Sequence, residues 1–149
     1  MVTNIAADHL GLGGIETLDD LARVKSVVPQ SVFRDGTSVL NGDNEWCVDM
    51  ARTARGEIIF FCLNEESPAL REHLRQRGRA VVLRQTRHGE MITIIEHRRE
   101  TSLILVSEIP ATFGGRLRVN IANAMAAAAA GIGADVQLEY IRQALRSFN

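Results

Sequence analysis

At 149 residues, 16.4 kDa and 46% hydrophobic content, the chain has the size and composition of one globular domain and is not wholly disordered. A formal net charge of -1 excludes an electrostatic footprint for nucleic acid or for an anionic membrane, and 5% aromatics are too few for a nucleic-acid stacking platform. Cys47 and Cys62 lack a CxxC partner and read as reduced, small apolar residues. No leader pattern opens the chain, and the longest apolar run begins among Asn120 and Asn123, so the expectation is a cytoplasmic protein without a membrane span.

The first predicted element is a buried strand, Val2 to Ile5, followed by a polar loop carrying Asp8 and His9. Open α/β sheets bind ligands at the carboxyl ends of their strands, which is where this loop would lie. Thr17 and Asp20 have capping-box spacing, and Leu18, Leu21, Ala22, Lys25 and Val28 recur at helical spacing up to Pro29. Lys25, the only lysine in the chain, thus falls on or beside the buried face. Unlike arginine, a lysine amine can be deprotonated and react, for instance with carbon dioxide to give a carbamate. A lysine snorkelling from the helix edge is the alternative.

Thr37 to Leu40 predicts a second short strand, running into the turn cluster Asn41-Gly42-Asp43-Asn44. Asn41 and Asp43 suit either a helix cap and turn or a ligand role. A helix over Glu45 to Ala54 follows, then a central strand over Glu57 to Leu63, apolar on both faces, as in a parallel sheet. Ser67 and Pro68 open another helix, closed by Gly78. Between about residues 79 and 109 three β-rich runs joined by short polar links predict antiparallel hairpins, with His88 and His97 as surface turn residues. The last elements are a helix from Arg116 to about Ala130, broken over Gly131 to Asp135, and a helix over Gln137 to Phe148. Asn120 and Asn123 project from one face of the former. They either solvate its first turns or offer amide donors and acceptors to a ligand.

The segment VTNIAADHLGLGGIETLDDLARVKSVV resembles the Mur-ligase-like half of cyanophycin synthetases. It also has the layout of the wider Mur and folylpolyglutamate ligase superfamily: a strand, an Asn-x-x-x-Asp-His-Leu loop and a helix ending Ala-x-x-Lys. Asn41-Gly42-Asp43-Asn44 is similar to that family's Leu-Asn-x-Asp-Asp-Pro segment, with Asn44 and Glu45 in place of the usual Asp and Pro. Gly114-Gly115-Arg116 through Asn120, Asn123 and the alanines is similar to a Gly-x-His-Asn-x-x-Asn-x-x-Ala-Ala motif, with Val119 in place of His.

The resemblance implies an α/β fold with a partial, mostly parallel central-domain sheet flanked by helices. Residues 1–134 would form the second half of that ATP-binding domain, and 135–149 would lead towards a C-terminal domain. It further implies ATP and magnesium as cofactors, His9 and Lys25 at the metal (Lys25 as a carbamate), and Asn120, Asn123, Asn41 and Asp43 at the nucleotide. The sequence has no Gly-x-x-x-x-Gly-Lys-Ser/Thr, and the cluster at Gly11, Gly13 and Gly14 is not followed by the lysine that a phosphate cradle uses. The expectation is a ligase fragment that is inactive alone. Its partner would be a chain bearing the phosphate loop or a second copy of itself. A non-catalytic docking module and a remnant are the alternatives.

Overall fold

The computed structural model describes residues 1–7, 11 and 13–149. Five strands form one mixed sheet in the order β1-β2-β3-β4-β5. β1 (Thr37–Asn41), β2 (Glu57–Cys62) and β3 (Arg79–Thr86) are parallel neighbours; β4 (Gly89–Glu96) and β5 (Arg99–Leu105) add antiparallel hairpins. The expected α/β sheet, parallel at one end and antiparallel over the 79–109 segment, is therefore present. The hairpin links are two residues long, and His97 and Arg98 both have positive φ, as primed hairpin turns require.

Helices cover both faces, which is why β2 is apolar from Ile58 to Cys62. On one face α1 (Leu18–Gln30), α2 (Glu45–Met50) and α3 (Pro68–Arg75) pack over Leu40, Phe60, Cys62, Ala80 and Val82. On the other, α4 (Arg118–Gly133) and α5 (Leu138–Arg146) pack over Val39, Ile59, Phe61, Val81 and Ile92. The alanines of α4 let it lie close across β1, β2 and β3. Its direction is fixed at both ends. Gly133 sits where a Cβ would fall 2.9 Å from Thr37 Cγ2, at the start of β1. Arg118 donates to Glu90, paired with Gln85 near the far end of β3. The amino end of α4 is thus carried to the carboxyl edge of the parallel strands.

Several boundaries differ from the sequence expectation. Among the described residues, Val2 to Ile5 makes only one parallel bridge, Val2 to Leu40, and the carbonyls that follow are taken by side chains rather than by a backbone ladder. α1 runs one residue past Pro29, closed by the Ser31 N–H on Val27 O at 2.9 Å, and Val28 is exposed rather than buried. α4 extends through Gly131 to Gly133, where Gly131 fits against Ile141 and Gly133 against Thr37. α3 stops at Arg75 and is closed by Gly78 as expected, its N–H donating to His73 O at 2.9 Å after Arg77 at positive φ, and Gly78 also makes room for the His73 ring.

Candidate functional site

Local chemistry positions Lys25. The Thr17 hydroxyl accepts from the Asp20 N–H at 3.1 Å while the Asp20 carboxylate accepts from the Thr17 N–H at 3.1 Å, so both halves of the capping box form. The helix so fixed holds Lys25 half-buried beside the first segment, its Nζ donating to Asn4 O at 3.3 Å. The flanking carbonyls are held in the same way. Asn41 Nδ2 donates to Thr3 O at 2.8 Å, and Asn44 Nδ2 donates to Ile5 O at 3.2 Å. Three side chains, from α1, the end of β1 and the N-cap of α2, thus hold three successive carbonyls of the segment that leads into residues 8–10. His9 and Asp8 lie outside the described residues.

Asn44 was not among the candidate residues, yet it links two elements. Its Oδ1 caps α2 by accepting from the Cys47 N–H at 3.2 Å while its Nδ2 reaches Ile5 O. An ionised aspartate has no donor for that second bond, which gives a physical reason for asparagine here. Its N-cap position ahead of Glu45 was the available signal.

Asn41 and Asp43 build the adjoining turn. Asn41 Oδ1 accepts from the Asp43 N–H at 2.8 Å, the local bond of an Asx turn. The Asp43 carboxylate accepts from the Leu63 N–H at 2.5 Å and the Asn64 N–H at 3.2 Å, tying the loop after β1 to the loop after β2. Although Asp43 as a whole is exposed, its carboxylate folds back against the chain. Desolvation there raises its pKa, opposed by the two backbone donors. Beside it an open cleft is lined by Gly42, Asp43, Glu45, Asp49, Ser67 and Ala69.

Asn120 and Asn123 stand at the same carboxyl edge, at the start of α4. Asn120 is half-buried and its Nδ2 donates to Ala111 O at 2.7 Å; Asn123 is exposed one turn on. One Asn120 N–H is thereby used to hold the preceding turn. The structure thus brings Lys25, Asn41 and Asp43 to the loops that end β1 and its neighbouring segment, and Asn120 and Asn123 to the far part of the same edge.

The described residues do not by themselves compose a magnesium site. Among them no group of three His, Cys, Asp or Glu side chains converges, and Lys25 faces backbone carbonyls rather than carboxylates. Among the described residues, no helix is long and apolar enough to cross a membrane.

Comparison with known proteins agrees with this architecture. The chain is 41% identical over 148 residues to a cyanophycin synthetase of Nostoc sp., covering 99% of this chain and 16% of that protein. It is 37% identical over 149 residues to the cyanophycin synthetase of Geminocystis herdmanii, covering all of this chain and 17% of the relative. It is 26% identical over 147 residues to a UDP-N-acetylmuramoylalanine--D-glutamate ligase of Koribacter versatilis, covering 28% of that protein. The chain therefore spans about a sixth of the length of the cyanophycin synthetases it matches. Residues 1–131 match the sequence profile of the Mur ligase middle domain, and the chain belongs to that family.

Proposed function

We propose that this chain is the part of a cyanophycin-synthetase-like, ATP-dependent acid–amino-acid ligase that carries the adenine-side and lysine-side residues of its nucleotide site. What supports the reading is that Lys25, Asn41 and Asp43 at one part and Asn120 at another lie along the same carboxyl edge, where open α/β sheets bind ligands. When bound, ATP supplies the phosphoryl group that activates a carboxylate for attack by an amine. The chain's own residues bind and orient. Asn120 Oδ1 and the Asn123 amide address the base edge. The loops at Asn41 and Asp43 hold the floor of the site, and Lys25 fixes the segment leading to His9.

Magnesium at His9 and Lys25 requires more than the described donors. A carbamate on Lys25 would exchange an ammonium for a negatively charged oxygen pair and so change the donor set. Without a phosphate cradle the chain alone cannot stabilise a transferring phosphoryl group, so catalysis needs a segment that carries one. The setting is the cytoplasm.

Calorimetric titration of the purified chain with magnesium-ATP, with ADP alongside, tests the reading. Binding at millimolar or better affinity that weakens in Asn120→Ala and Asn123→Ala is the expected result. No heat with either nucleotide, or binding indifferent to both substitutions, rejects the assignment.

A second reading is favoured by the sheet edge. Among the described residues, only the Val2 to Leu40 bridge pairs with the outer side of β1, itself buried at Ser38, Val39 and Leu40. An edge of this kind is a template for strand addition, so the chain would dock a phosphate-loop chain or a second copy there. A stable monomer by light scattering that binds no added chain counts against it.

A further inference from the structure

The turn that precedes α4 holds a feature that the asparagines do not account for. Phe113 has φ 51°, in the left-handed region, and its side chain is 68% exposed. A bulky residue in that conformation is strained, and here the strain holds an apolar ring in water. The next two residues, Gly114 and Gly115, also have positive φ and adopt it freely. Glycine or asparagine would serve the turn at 113 as well.

The turn is rigid. The fully buried Thr112 hydroxyl lies 2.9 Å from Val106 O and 2.8 Å from Ile109 O, and its oxygen accepts from the Gly115 N–H at 3.3 Å. The Phe113 N–H donates to Pro110 O at 3.0 Å, and the Leu117 N–H donates to Thr112 O at 3.1 Å. Asn120 ties itself to the same turn through Ala111 O, two residues before Phe113. One short, pinned segment therefore carries both an amide able to read a base edge and an aromatic face, with exposed Leu117 and Val119 beside them. A planar heteroaromatic ring uses both groups at once. The edge bonds to amides and the face stacks on the phenyl ring, a contact every base offers.

We propose that Phe113 is a binding residue of the nucleotide site, stacking on the adenine ring whose edge meets Asn120 and Asn123. The inference rests on the reading of those asparagines given above. It predicts that adenosine alone, without phosphates or metal, is recognised.

The test is saturation-transfer NMR on the 149-residue chain with adenosine, and with ribose as control. Phe113→Asn removes the ring while keeping a residue that tolerates the left-handed region, so it folds at least as well as the parent. Phe113→Tyr keeps the ring. Phe33, 82% exposed just ahead of the amino end of β1, is the control for general apolar contact. The expected result is saturation of adenine H2 and H8, about tenfold weaker binding in Phe113→Asn, and parent-like binding in Phe113→Tyr and Phe33→Ala. If adenosine binds, Asn120→Ala weakens it and Phe113→Asn does not, the stacking role is wrong and the asparagine site stands. If the parent chain does not bind adenosine, both are wrong.

Discussion

Gly42 sits between the two polar residues of the β1 loop at a point where the fold leaves no room for a side chain. Its N–H donates to Phe61 O at 3.0 Å, and a Cβ placed on it would fall 2.4 Å from Cys62 Sγ and 3.5 Å from Phe60 Cβ. Favourable non-bonded separations for carbon are about 3.5–4.0 Å, so the sulfur must move by more than about 1 Å. Cys62 is completely buried and has no solvent to move into. Gly42→Ala should therefore cost about 2 kcal/mol, within the range for overpacked cores, and lower the thermal midpoint by about 4–8 °C. Cys62→Ala removes the obstructing atom at a cavity cost of about 1 kcal/mol. In the double variant the new methyl occupies the vacated space, so the two changes should couple favourably by at least about 1 kcal/mol. Urea denaturation followed by far-ultraviolet circular dichroism measures all four corners of the cycle. Additivity within about 0.5 kcal/mol would refute the steric account, as would a Gly42→Ala chain as stable as the parent.

Three further outcomes follow from local geometry. Thr17→Ala removes the hydroxyl that caps α1 and should cost about 1 kcal/mol in chemical denaturation, loosening the helix that carries Lys25. Burial lowers the His73 pKa, and this depression outweighs the raising effect of the Arg79 and Ile58 backbone contacts and of Glu57. The unfolded chain then takes the proton first. Stability is fully present above the ordinary histidine pKa of about 6.5 and is lost as pH falls below it. A denaturation midpoint that is flat across this range, or that drops equally in His73→Gln, would contradict this. Burial raises both thiols, Cys47 against the opposing charge of Lys25 and Cys62 more strongly. Both should resist a disulfide reagent in the native protein and react in denaturant; prompt native labelling would show that either site is open.

Local patterns carried most of the architecture into the sequence. The β2 run Ile58 to Cys62 is apolar at every position because helices cover both faces, and the Thr17–Asp20 spacing formed its capping box as written. The hairpins were legible from short polar links, which the structure narrows to two residues each. What the sequence did not disclose depended on contacts between distant segments. Val2 to Ile5 has strand composition, but Asn41, Asn44 and Lys25, 20 or more residues away, take its carbonyls. The dual role of Asn44 is invisible without knowing that Ile5 O is within reach. Gly78 read as a helix stop and is one, its N–H closing α3 on His73 O, but its second role, clearing the His73 ring packed edge-on against Phe60, depends on packing no local pattern shows. The small residues at Gly131 and Gly133 looked like a helix break, yet both stay helical, Gly131 close against Ile141 of α5 and Gly133 against Thr37 of β1.

The central claim is that ligand binds along the carboxyl edge, at the start of α4 and the loop after β1. Backbone amide NMR of the labelled chain during titration with magnesium-ATP tests it most directly. The account predicts that the amides that shift cluster at residues 111–123 and 41–44, with the β4–β5 turn at His97 and the amino end of β1 unmoved. Shifts confined to that opposite end, or none at saturating nucleotide, would contradict it.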